Sequence, residues 1–360
     1  MRTLTSNNTT FEVPSATAMA FNPFIIHCSS TDTIASLECA ISGGATITFD
    51  AYDNECICDL REWLQVLFDG ISFDVNYSLL VKSGTCKTIG ITLTALDADG
   101  TSVGAVMFNT DVIWGALDIG ETFDGIREVI WWSHYPFSVG VYTPTPSSLY
   151  VSVNGAPNIV LTANSAGIYN IPVTTSLGGE QMSAGTLDGL VLNGTFDSTF
   201  DLTFRGSGGT TYEQVRIKVA SNYYDEGYYL RWVDRRGFAC YHLFKSVQKS
   251  IKVTAGEFQR NNLYNYNERY GYLNGAGRRL NYTRQETIPV CAPLVSQKQW
   301  DTLSDLLTSP VVDLFMGYDE NDVPKWSSVV IEAGTYTKTD EDLQDFICNI
   351  VKPDLTMQQL

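Results

Sequence analysis

Alternation of apolar and polar residues, the period of a strand with one buried face, dominates this chain. It is cleanest in residues 45–49, 89–96 and 212–220, where Val215, Ile217 and Val219 share a face. Turn residues separate such runs: Asp97-Ala98-Asp99-Gly100 precedes a return strand at 102–108, and Gly206-Ser207-Gly208-Gly209 precedes Tyr212. The same pattern predicts strands at 128–132, 138–142, 150–153, 159–162, 190–192, 200–204, 250–254 and 287–294. Residues 311–318 and 326–332 read as a hairpin, and 343–351 as a strand because Phe346, Cys348 and Ile350 alternate.

Helical spacing occurs twice. In 59–68, Leu60, Trp63, Leu64 and Leu67 fall on one helical face, and Gly70 stops the run. In 296–308, Ser296 and Gln299 form a capping box ahead of Trp300, Leu303, Leu306 and Leu307, and Ser309-Pro310 ends the helix. The fold class that follows is mainly β: multidomain β-sandwiches with two short flanking helices.

The densest apolar stretch is 228–244, YYLRWVDRRGFACYHLF. Its two halves alternate, and Asp234-Arg235-Arg236-Gly237 between them suits a type I turn with Gly237 at positive φ. Aromatics on both faces place this hairpin between packed surfaces. The segment 143–148, with Pro144 and Pro146 among small polar residues, reads as a linker. Three regions are therefore expected: an N-terminal β-sandwich domain over 1–142, a linker with a small β region over 143–204, and a C-terminal β domain over 205–360.

Charge sharpens this division. Residues 1–204 carry 5 basic and 21 acidic side chains, 205–284 carry 14 and 6, and 285–360 carry 4 and 13. A basic block between acidic ones can dock on the acidic part of a neighbouring copy, or pair locally within its own subunit. The net charge of −17 opposes nucleic-acid binding, and no sequence-specific contact with nucleic acid is expected. No apolar run approaches a membrane span, and the polar first ten residues lack a signal core, so eight reduced cysteines are expected and no membrane insertion.

Candidate chemistry is sparse. His27, His134 and His242 are the only histidines, and no nucleophile elbow, phosphate loop or dinucleotide fingerprint accompanies them. Cys56-Ile57-Cys58 with Cys28, Cys39 and His27 has poor zinc spacing, which favours buried thiols. Asp97 to Gly100 lacks the downstream Glu of a calcium loop and reads as a hairpin turn. No enzyme activity, metal or cofactor is expected.

Residues 258–284 interleave tyrosines with arginines as a long loop or irregular hairpin. Both residue types suit interface anchors, and both suit stacking on bases or sugars. Together with the hairpin they supply the candidate subunit-interface residues: Tyr228, Arg231, Trp232, Arg235, Arg236, Tyr264, Tyr266, Arg269, Tyr270, Arg278 and Arg279.

Three stretches carry a family resemblance. Tyr229-Leu230-Arg231-Trp232-Val233 with Tyr241-His242-Leu243-Phe244 follows a Leu-x-Trp and Tyr-x-Leu-Phe pattern. Leu306 to Val312 followed by Trp326 to Ile331 is a closing helix, Ser-Pro strand and Trp-containing return, and Phe21-Asn22-Pro23 fits the early segment. These are similar to tail or baseplate structural proteins of phages and prophages of Bacteroidetes-type bacteria, chiefly over 210–350. The turn Arg235-Arg236-Gly237-Phe238 departs from their Gly-Gly-Trp-like turn. The resemblance implies a virion protein of a tail ring or baseplate, assembled in the host cytoplasm, whose partners are copies of itself and other phage tail proteins. The alternative is a receptor-binding tail adhesin whose exposed aromatics hold a host surface glycan.

Overall fold

The computed structural model describes residues 1–70, 73, 75–118, 121, 125–132, 134–155, 159–174, 190–191, 198–220, 227–247, 250–254, 258–260, 266–272, 277–279, 283–352 and 355–356. The protein is mainly β, with several sheets in β-sandwich-like arrangements and two helices among the described residues. Contacts divide it into two units, Met1–Ser221 with Val233–Tyr241, and Asn222–Trp232 with His242–Leu360.

The first unit opens with two facing sheets. One has four strands in the order Arg2–Ser6, Thr9–Val13, Ile25–Ser30 and Glu55–Asp59. The other has five: Thr17–Met19, Ser102–Ile113, Cys86–Leu96, Ser36–Ile41 and Thr46–Asp50. Alternate residues of both sheets meet in one core, including Phe11, Ile26, Cys28, Leu37, Cys39, Ile91 and Leu93. The hairpin at Asp97–Gly100 is closed by the Asp97 carboxylate, which accepts from the backbone N–H groups of Asp99 (3.0 Å) and Thr101 (2.8 Å). Helix Arg61–Val66 is shorter than expected. Asp59 still ends a strand, and its carboxylate accepts from the Arg61 N–H at 2.9 Å.

Two further sheets complete this unit. Five strands run in the order Ile126–Trp131, Thr211–Val219, Thr199–Arg205, Ser147–Val153 and Ile159–Ala163. Four others comprise Ser138–Thr143, Gly167–Thr174, Leu190–Val191 and Val81–Lys82. The expected boundaries at 142/143 and 204/205 do not coincide with the division at 221/222. Pro144 and Pro146 sit where the chain leaves the strand Ser138–Thr143 and enters Ser147–Val153, so they turn the chain between two sheets of one unit. Residue 204 lies inside a strand, and the glycines after it form the turn to Thr211–Val219, with Gly206 N–H donating to Thr210 O at 2.9 Å.

The second unit is built on one nine-stranded sheet. Its path runs Pro324–Ser328, Val312–Tyr318, Gly227–Val233, Ala239–Ser246, Thr283–Ser296, Leu343–Val351 and Val330–Ile331, with Ser250–Thr254 and Leu355–Thr356 also pairing Thr283–Ser296. Helix Gln297–Thr308 begins at the expected capping box: Ser296 Oγ accepts from Gln299 N–H at 3.3 Å and Gln299 Oε1 accepts from Ser296 N–H at 3.0 Å. Leu303 and Leu306 are buried, and Trp300 meets Phe346 edge-on with ring centroids 5.7 Å apart. The helix therefore covers the sheet face to which Phe346, Cys348 and Ile350 point.

Candidate assembly surface

The hairpin forms as its turn chemistry dictates. Asp234 N–H donates to Phe238 O at 2.9 Å, and the Asp234 carboxylate accepts from the N–H groups of Arg236 (2.9 Å) and Phe238 (2.8 Å). Gly237 has φ +78°, and a Cβ there would stand 2.7 Å from Ile113 Cγ2. Glycine is needed for both the left-handed backbone and the space. The turn, Val233–Tyr241, belongs to the first unit, whereas the rest of the two strands belongs to the second.

Two of the five hairpin candidates, Arg231 and Trp232, are buried within the subunit, and Tyr228, Arg235 and Arg236 are half-buried. Arg231 is 5% exposed, its guanidinium donates to Asp313 Oδ2 at 2.6 and 3.2 Å, and it lies 4.4 Å from the Trp326 ring centroid. Trp232 is buried and Tyr228 half-buried. Successive residues from Tyr229 to Val233 are all buried, so both faces of this strand are closed to solvent there. Arg235 pairs with Asp118 (2.8 Å) and Glu121 (3.4 Å), and Arg236 with Glu121 (3.4 Å), so this part of the basic block pairs locally.

Behind the turn lies a buried network. Arg127 Nε donates to Glu213 at 2.8 Å, and its guanidinium also donates to Gly140 O and sits 4.5 Å from the Phe238 ring centroid. Burial pushes the carboxyls of Glu213 and Asp234 upward, while Arg127 and the backbone N–H groups at the turn pull the other way. A buried charge held by such partners is expensive to strand.

The Tyr/Arg segment is the opposite case. Phe258–Arg260 pairs antiparallel with Gly277–Arg279, and Tyr266–Asn267 with Gly271–Tyr272, so the segment is an irregular hairpin of two nested ladders. The Asn267 side chain accepts from the N–H groups of Arg269 (2.9 Å) and Tyr270 (3.2 Å), which shapes the end turn. Residues 266–270 are all exposed, Tyr266 at 57% and Tyr270 at 64%. Arg269 lies 5.2 Å from the Tyr270 ring centroid. Tyr264 and the side chains of Arg278 and Arg279 lie outside the described residues.

A second exposed surface had no clear signal in the sequence. On the sheet face opposite the helix, Leu343, Asp345 and Ile347 point outward. Register places Cys291 beside Ile347, Lys245 beside Cys291, and Val330 beside Val351. Leu294 bulges out at φ +53° between the shifted pairs Ala292 and Val295, is 68% exposed, and donates its N–H to the Asp345 carboxylate at 2.9 Å. The only sequence hint was that the polar half of LQDFICNIV contains Leu343 and Ile347.

The remaining candidates for chemistry have structural settings. His27 contacts Glu12 at 3.2 Å, His134 is exposed, and burial pushes His242 down to about 3. All eight cysteines are buried, and burial pushes the thiols of Cys28, Cys86 and Cys348 up to about 12. Such thiols are protonated at neutral pH and poor nucleophiles. Among the described residues, no group of three or more His, Cys, Asp and Glu side chains is placed to hold a metal ion, and no helix is long and apolar enough to cross a membrane. No protein-family model and no curated protein sequence matches the chain.

Proposed function

We propose that the chain is a structural protein of a phage tail, in a tail ring or the baseplate, that works by binding copies of itself and other tail proteins. One observation carries this reading: an arginine- and tyrosine-bearing hairpin whose end turn, residues 266–270, is wholly exposed. Tyrosine and arginine are enriched among the residues that dominate interface energetics, and tyrosine offers large contact area at low conformational-entropy cost. The sequence resemblance over 210–350 supplies the tail context. The reading places the mature protein in the virion.

The test is size-exclusion chromatography with light scattering across a salt series. The expected result is a closed oligomer whose free-subunit fraction grows with salt, since charge steers the contact. A chain that stays monomeric at all concentrations, and binds a glycan array, would replace this reading with the tail-adhesin one.

A further inference from the structure

We infer that Asn154 is a self-modification site: its side-chain amide closes on the backbone nitrogen of Gly155 and is converted to aspartate and isoaspartate, with water as the co-reactant. The inference is independent of the assembly reading and rests on how the fold holds this pair.

Asn154 and Gly155 follow the strand Ser147–Val153, both are exposed, and they take successive left-handed conformations at φ +49° and +74°. Glycine in the second position acts twice. It adopts that backbone without strain, and it has no Cβ to shield its own nitrogen. A Cβ built there would meet nothing within 4 Å, so the surroundings are open as well. Asn7 and Asn54 are also left-handed, at φ +52° and +63°, but they precede Asn8 and Glu55, whose side chains crowd the following nitrogen. The Asn-Gly pairs at 193–194 and 274–275 lie outside the described residues.

The neighbouring strand prepares the electrophile. Asn154 N–H donates to Asp201 O at 2.8 Å, and Asp201 N–H donates to Asn154 Oδ1 at 2.8 Å. The second bond draws electron density from Cγ and points at the oxygen on which negative charge develops when Cγ becomes tetrahedral. A donor already in place costs no reorganisation at that moment. The Asp201 carboxylate, next to the site, accepts from the Arg216 guanidinium at 2.7 and 3.2 Å, so a new carboxylate at 154 meets a neighbour whose charge is already offset.

The chemistry balances without an outside reagent. The Gly155 nitrogen bonds to Asn154 Cγ and loses its proton, the Cγ–Nδ2 bond breaks, and Nδ2 takes up a proton and leaves as ammonia. Water then opens the cyclic imide at either carbonyl. Opening at Cγ gives aspartate, and opening at the backbone carbonyl gives isoaspartate. The second product lengthens the main chain by a methylene just beyond the paired residues Val153 and Leu202.

The experiment holds the full chain in slightly alkaline phosphate buffer, folded and, in parallel, unfolded in urea. Peptide mapping by mass spectrometry follows amide-to-acid conversion at each asparagine, and isoaspartyl methyltransferase labelling reports the isoaspartate. In the folded chain, Asn154 is expected to convert at least as fast as in urea and about tenfold or more ahead of Asn7 and Asn54. Gly155→Ala, whose methyl group has room, is expected to keep a cooperative thermal melt and to slow conversion at residue 154 by about tenfold or more. A folded chain whose Asn154 keeps its amide while the unfolded chain loses it would overturn the inference, because the turn would then protect the amide. Equal conversion in Gly155→Ala and the wild type would overturn the route through the Gly155 nitrogen.

Discussion

Two hairpins of this protein share a vocabulary and have opposite fates. The hairpin Gly227–Ser246 and the hairpin at 258–279 are both rich in arginine and aromatic residues. In the first, Arg231 is buried against Asp313 and Trp326, and Arg235 and Arg236 face Asp118 and Glu121. In the second, residues 266–270 are all exposed. Composition alone does not distinguish an interface from a core. What distinguishes them is whether the same chain supplies carboxylates and apolar surface at the right place.

The largest expected effect breaks the buried side of that comparison. Asp313→Ala removes the carboxylate that accepts from the buried Arg231 guanidinium and is expected to cost about 3–5 kcal/mol. A urea titration that shows a loss below about 1 kcal/mol would mean that Arg231 reaches water. Next in size is Gly237→Val. The left-handed backbone and the 2.7 Å approach to Ile113 both oppose a side chain, so a loss of about 2–4 kcal/mol is expected. An unchanged midpoint would show that the turn is not packed as described.

A pH series sharpens the same point. His242 titrates near 6.5 in the unfolded chain, and burial holds it at about 3 in the fold. Its folded value is depressed, so its contribution is intact above pH 6.5 and is lost as pH falls toward 3. The expected slope is about 1.4 kcal/mol per pH unit in that window. His242→Phe, measured by denaturant midpoint against pH, is expected to flatten the slope, and an equally steep variant would assign acid sensitivity elsewhere. The smallest stability effect belongs to the exposed hairpin: Tyr266→Ala with Tyr270→Ala is expected to change stability by less than about 0.5 kcal/mol. The same double variant is expected to lose assembly by light scattering.

Much of the fold was legible because its rules are local. Alternation marks Cys86–Leu96 and Leu343–Val351, Asp97 and Gly100 mark a turn, and Ser296 with Gln299 marks a helix start. Pairing across long distances was not legible. Arg231 and Asp313 are 82 residues apart, and no periodicity announces that they are cross-strand neighbours. The division into two contact units has no local signal in the sequence, because one hairpin contributes Val233–Tyr241 to one unit and its flanks to the other. The exposed face with Ile347 was missed for a related reason. Alternation shows that a strand has two faces, but topology decides which of them receives the helix.

Hydroxyl-radical footprinting with mass spectrometry, on free subunits and on assembled protein, tests the contrast between the two hairpins most directly. Tyr266 and Tyr270 are expected to be oxidised readily in the free subunit and protected on assembly. Tyr229, Trp232 and Phe238 are expected to be protected in both. Tyr266 and Tyr270 that react equally before and after assembly, or a Trp232 whose reactivity tracks assembly, would contradict this assignment of core and interface.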